Sequence, residues 1–196
     1  MPDSTLHNLL LLSADPAFLD RFLAQTADTP FAQVPCTFAG SCAQARSLLA
    51  DQHFSLCIAE APLADALGLE FCREFLGKRI GDALLLAEES LLHSLLPRAL
   101  AAGIGLLPLP CGRTDMLCAL SRVEASQRSL AALRQENADL LRRMDTLRTI
   151  DRAKYLLMQY LGMSEAQAHR YIERQAMNLR VSKKVIAEHI RKTYDN

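Results

Sequence analysis

Residues 1–120 predict an α/β domain built on a doubly wound, flavodoxin-like sheet of five parallel strands. Two observations carry this expectation. Short apolar runs alternate five times with helical patterns, and the runs are too continuous for a sheet with one face in water. A third observation marks where the sheet domain ends. Beyond residue 120 the apolar spacing changes to seven residues, and then to the three-and-four spacing of short helices. A coiled-coil helix over 121–147 and a small three-helix all-α domain over 148–196 complete the expected architecture.

The first strand is "NLLLLS" (8–13), followed by an amphipathic helix, "PAFLDRFLAQTA" (16–27). "QVPCTFAG" (33–40) is a weaker strand, carried by Val34, Thr37 and Phe38. "SCAQARSLLADQHF" (41–54) is a helix with Ser41 placed to cap it. "SLCIAEA" (55–61) is a continuous apolar strand, and "GLEFCREFLG" (68–77) is a helix closed by Gly77. "DALLLAE" (82–88), a helix over 90–103 that contains Pro97, and "GLLPLP" (105–110) complete the sheet, and a last helix starts within 113–126. In this fold, chemistry sits at the carboxyl ends of the strands.

From Val123 the pattern is a heptad. Val123, Leu130, Asn137 and Met144 occupy position a, and Ser126, Leu133, Leu140 and Leu147 occupy position d. Leu at d around a single Asn at a favours a parallel two-stranded register. The plainer alternative is a linker helix packed on its own sheet domain. Arg134, Arg142 and Arg143 leave little second apolar face for that.

The tail reads as three helices. The first continues the heptad helix and stops at Gly162. Ser164 and Gln167 have capping-box spacing for the second, which runs to Asn178, and Ser182 is placed to cap the third. Ile150, Ala153, Leu157, Leu161, Ala168, Ile172, Ala176, Val185 and Ile190 are the expected shared core.

The formal net charge of zero hides an asymmetry. Residues 1–120 carry 7 Lys/Arg and 13 Asp/Glu, and residues 121–196 carry 15 and 9. A basic half implies an anionic partner or, more plainly, a solvated helix surface. The six cysteines form no CxxC pair and sit mostly in apolar runs, so they read as buried thiols of a reduced, cytoplasmic protein. His7, His53, His93, His169 and His189 have no ligand spacing. No metal site, cofactor or enzymatic constellation is expected. The N-terminal stretch lacks a positive n-region, and the apolar region 83–109 is broken by charges and Pro97, so neither a leader nor a membrane span is expected.

The tail resembles the ANTAR domain, the RNA-binding module of transcription antitermination regulators. The residues that carry the resemblance are Arg148, Ile150, Ala153, Lys154, Leu157, Met158, Gly162, Ser164, Glu165, Ala168, Arg174, Ala176 and Met177. Tyr155 departs from it, standing where the family often has Gly; it adds either a stacking surface or packing. The resemblance implies binding to paired short stem-loops in leader RNA, which keeps a terminator hairpin from forming. Together with the i, i+4 spacing of Arg170 and Arg174 and the clustering of Arg180, Lys183 and Lys184 at the turn into the third helix, it points to RNA contacts from Arg148, Lys154, Arg170, Arg174, Arg180, Lys183 and Lys184.

The N-terminal domain is similar to a response-regulator receiver of two-component signalling, the CheY-like form of the fold. Receivers phosphorylate an Asp after the third strand, with acidic residues holding Mg²⁺ and a hydroxyl residue and a Lys completing the site. Here Glu60 stands at the acceptor position, and Ser13 and Ala14 replace the acidic pair, leaving Asp15. Leu86 or Ala87 replaces the hydroxyl residue, and Leu109 replaces the Lys. The expectation is a pseudo-receiver that keeps the fold and has lost phosphotransfer.

The combined reading is a parallel homodimer, paired through Leu130, Leu133, Asn137, Leu140, Met144 and Leu147, that binds leader RNA stem-loops. A signalling or sequestering partner protein is a further candidate input. The rivals are a DNA-binding response regulator and a dimeric protein-binding adaptor without nucleic-acid affinity.

Overall fold

The structure, a computed structural model, describes residues 5–63, 68–78 and 81–194. Its strands are β1 (Leu9–Leu12), β2 (Cys36–Ala39), β3 (Leu56–Glu60), β4 (Asp82–Glu88) and β5 (Gly105–Leu109). Its helices are α1 (Phe18–Thr26), α2 (Cys42–Asp51), α3 (Leu69–Gly77), α4 (Glu89–Ala102), α5 (Arg113–Leu161), α6 (Glu165–Leu179) and α7 (Lys183–Tyr194). The chain divides into two compact units, Met1–Ser129 and Leu130–Asn196.

In the first unit the strands form one parallel sheet in the order β2-β1-β3-β4-β5. Period-two alternation sends successive side chains to opposite faces. Leu10, Leu12, Cys57, Ala59, Leu85 and Ala87 face α2, α3 and α4, where Phe71, Cys72 and Phe75 meet them. Leu9, Leu11, Leu56, Ile58, Leu84 and Leu86 face α1 and the start of α5, against Phe18, Phe22, Met116 and Leu120. Both faces are dry, which is why the strands read as unbroken apolar runs.

β4 has its expected bounds, whereas β1, β2 and β3 are shorter than their sequence patterns. β2 starts at Cys36 because a 3₁₀ turn, Pro30–Gln33, precedes it, capped by the Thr29 side chain. Ser41 caps α2 by accepting from the Gln44 amide, and Pro97 lies inside α4 without ending it. At Gly81 the chain passes so close to β3 that an added Cβ would lie 2.3 Å from the Ser55 carbonyl oxygen. This approach lets the Asp82 amide bond Ser55 and open β4 in register.

The second unit holds the later part of α5 with α6 and α7. α5 stops at Gly162, whose φ of +62° suits glycine. The capping box forms at α6: Ser164 accepts from the Gln167 amide while the Gln167 side chain accepts from the Ser164 amide. Ala153, Leu156, Leu157, Ala168, Ile172, Ala176, Ile186, Ala187 and Ile190 form the core. Two expected core residues, Leu161 and Val185, are instead exposed. Leu156 and Ile186 are buried instead; Ile186 lies one residue from Val185, which on a helix turns the side chain by about 100°.

Among the described residues no helix is long and apolar enough to cross a membrane. Cys42, Cys57 and Cys72 are buried free thiols. The Cys72 contact, with burial, pushes the Cys57 thiol well up, leaving it unreactive.

Phe75→Ala, which empties a fully buried site, is expected to cost about 3–5 kcal/mol in urea denaturation. Leu100→Ala, on the exposed side of α4, is expected to change stability by less than about 0.5 kcal/mol.

Candidate functional site

At the carboxyl end of the sheet, β3 delivers Glu60 and the segment after β1 delivers Ser13 and Asp15. The Ser13 hydroxyl donates to Glu60 Oε2 at 2.5 Å and accepts from the Asp15 amide at 3.0 Å. The decisive group is Arg21 of α1. Its guanidinium donates to Glu60 Oε1 at 3.0 Å and Oε2 at 3.2 Å, and it also pairs with Asp15. One cation thus joins both carboxylates, while its planar face lies 5.6 Å from the Phe18 ring centre.

Arg21, with the Ala17 amide behind it, holds the Asp15 carboxyl below its ordinary range. Asp15 in turn pushes the Arg21 pKa up, with Glu60 adding to it. Sequence reasoning missed Arg21. The available signal was a cation early in a helix, where the dipole disfavours it unless a carboxylate compensates.

A cleft of about 660 Å³ opens beside this group, lined by Arg21, Glu60, Leu86, Leu109 and Pro110 among others. Leu86 and Glu88 of β4 line the cleft, and Ala87 does not. Leu86 pairs with Glu60 across the sheet, whereas Ala87 points into the core beneath α3 and α4. Ala14 is exposed. Leu109 offers no charge where a receiver has Lys. The donor set does not fit Mg²⁺: its two carboxylates already share a guanidinium, and a dication beside that cation would be repelled. Among the described residues no group of three or more His, Cys, Asp or Glu could hold a metal ion.

The second unit displays the predicted cations unequally. Lys154 is 17% exposed and bonded to Asp151 at 2.9 Å and Glu165 at 3.0 Å, which push its pKa up. Lys183 pairs with Glu173 at 2.5 Å, and Lys184 with Asp145 at 2.6 Å. These lysines hold Glu173 and Asp145 below the ordinary carboxylate range. Arg148, Arg170, Arg174 and Arg180 are exposed, and among the described residues none of the four has a carboxylate within ion-pair distance. Arg180 caps α6 with φ of +53°. Tyr155 is exposed, with the Arg152 guanidinium 5.5 Å from its ring centre.

The heptad residues Leu130, Leu133, Asn137, Leu140, Met144 and Leu147 are all exposed on α5.

Residues 138–190 match the family model of the ANTAR domain. The transcriptional regulatory protein PdtaR of Mycobacterium tuberculosis H37Rv is 33% identical over 127 residues, a match covering 64% of this chain and 62% of that protein. The signal receiver domain of an HD domain-containing protein from Pseudomonas fluorescens Pf-5 aligns with a TM-score of 0.55 at 25% identity, over 63% of this chain and 98% of that domain. A CheY-like response regulator receiver domain from Methanospirillum hungatei JF-1 also gives 0.55, at 19% identity, over 64% of this chain and 98% of its own. The chain carries an ANTAR domain, and its first unit has the receiver fold.

Arg21→Met is expected to return the Asp15 carboxyl upward toward its ordinary value of 3.8, read by carboxyl NMR titration. A depressed folded pKa stabilises above the unfolded value and stops doing so as pH falls through the folded one. The wild type therefore loses this contribution as pH falls below the ordinary carboxylate value, and the variant, which lacks it, should show a lower stability near neutrality and a shallower decline on the acid side. A carboxyl unmoved by the substitution would show that Arg21 is not its partner in solution.

Proposed function

We propose that this chain is an RNA-binding transcription antitermination regulator that acts as a parallel dimer, with a receiver-like domain that has lost phosphotransfer. The observation that carries the reading is the ANTAR match over 138–190, on a unit whose surface presents Arg148, Arg170, Arg174 and Arg180 free of carboxylates among the described residues.

The chemistry of RNA loops supports it. Cationic side chains neutralise phosphates, and unpaired bases are read by stacking and edge contacts. An arginine whose guanidinium is not committed to a carboxylate can bond phosphate without first breaking a salt bridge. Arg170 and Arg174, one helical turn apart on α6, form a pair suited to one stretch of backbone.

The exposed heptad residues of α5 support the dimer. Four exposed leucines and a methionine in one stripe lack the burial that a stable helix of this length uses. A second copy in register buries them, and two linked RNA modules on tandem hairpins gain from effective concentration.

In the first unit, Arg21 occupies the electrostatic place of a metal ion, and Leu86 and Leu109 replace the hydroxyl and the Lys. A phosphoryl group there would meet two carboxylates and no free cation. Control therefore falls to a partner protein, a small ligand or the abundance of the chain itself, in the cytoplasm, where leader RNA is made.

Full-length protein is expected to bind a tandem-hairpin RNA in preference to a duplex DNA of equal length. Arg174→Ala should flatten the log–log salt dependence by about 0.7. Arg180→Gly should weaken RNA binding while raising stability by about 1 kcal/mol, since glycine relieves the left-handed backbone. Equal binding to both nucleic acids would instead identify a DNA-binding regulator, and binding to neither an adaptor.

Leu133→Lys with Leu140→Lys is expected to halve the sedimenting mass, because opposed charges in both d layers repel. A wild-type chain that sediments as a monomer at micromolar concentration would sink the dimer.

A further inference from the structure

A cleft of about 710 Å³ lies on the second unit between the α5–α6 turn and the outer face of α6. Its walls include Met163, Tyr171 and Met177, and its rim carries Arg170, Arg174 and Glu173. The volume falls within the range of about 300–1,000 Å³ typical of small-molecule sites. Met177 is 78% exposed, a high exposure for an apolar side chain in the middle of a folded domain. Tyr171 is half-buried, with one part packed on the domain core and the rest lining the cleft.

We propose that this cleft receives one unpaired nucleobase of the RNA loop, between Tyr171 and Met177, with the adjoining phosphates on Arg170 and Arg174. The proposal rests on the RNA-binding reading above and extends it to a base-reading position. An unpaired base brings a flat apolar face and a flanking negative charge, and the cleft offers an aromatic and a thioether wall beside two free guanidiniums.

The rim carboxylate gives Lys183 a role that the sequence does not suggest. Glu173 stands one residue from Arg174, where a bare carboxylate would repel the incoming phosphate. Lys183 at 2.5 Å and His169 at 3.2 Å pair with it. The Lys183 ammonium is thus spent on Glu173 and works as a positioning residue, not as a phosphate ligand. His169 contributes in the same sense when protonated.

The test uses the full-length chain and a pool of tandem-hairpin RNAs with randomised loops, from which the tightest binder is selected and used as probe. Each loop nucleotide is then replaced in turn by an abasic one. With wild type, a single loop position is expected to cost tenfold or more. With Met177→Ala, a variant at an exposed residue, the same abasic RNA is expected to bind no more weakly than the intact RNA does. Losses that simply add at every loop position overturn the base site. A second cycle addresses Lys183. Lys183→Ala should weaken binding several-fold, and adding Glu173→Gln should restore it. A double variant as weak as the single one makes Lys183 a direct phosphate contact and overturns its positioning role. If no RNA is enriched by wild type, the antitermination reading itself fails, a result separate from either of these.

Discussion

Helix α5 runs without a break from Arg113 to Leu161, so its side chains change surroundings while its backbone does not. Met116 and Leu120 close one face of the parallel sheet. Farther along, Leu130 to Leu147 present an exposed heptad stripe, and then Ala153, Leu156 and Leu157 supply the core of the ANTAR domain. Each stretch has its own apolar face, so the helix as a whole has no single amphipathic direction. The heptad stripe begins where the sheet domain's core ends, and the core of the second unit takes up where the stripe ends.

The receiver-like unit keeps the sheet and replaces the chemistry. A parallel sheet buried on both faces is held by alternating Leu, Ile and Ala, none of which depends on the residues at the strand ends. The carboxyl ends were therefore free to change. Their charge is now balanced within the chain: Arg21 spans Asp15 and Glu60, and Ser13 fixes the Glu60 carboxylate. A side-chain cation is permanent, unlike a metal ion or a phosphoryl group.

In the ANTAR domain the same economy of charge separates cations of two kinds. Lys154, Lys183 and Lys184 close ion pairs that tie α5 to α6, α7 to α6 and α7 to α5. Exposed pairs of this kind contribute little each, and here they also neutralise the acids on the surface of this domain. The arginines on the outer face of α6 and at its end have no such commitment among the described residues. All seven were legible as cations, because Lys and Arg are plain in the sequence. Which of them face a carboxylate was not legible: Lys154 and Glu165 stand 11 positions apart, and Lys184 and Asp145 39.

The sequence by itself determined the order of elements, the buried strands, the capping box at Ser164 and the residues of the heptad stripe. Those depend on local periodicity and on the hydrogen-bonding groups of neighbouring residues, which lie next to each other in the chain. Tertiary structure decided what required distant residues to meet. It placed Leu86 rather than Ala87 beside Glu60, since strand register selects which face a side chain takes. It buried Leu156 and Ile186 and left Leu161 and Val185 in water. It also brought Arg21 of α1 to two carboxylates, one of them 39 residues away on β3. Charge pairing acts through space, and a linear sequence shows the charges without the distances that couple them.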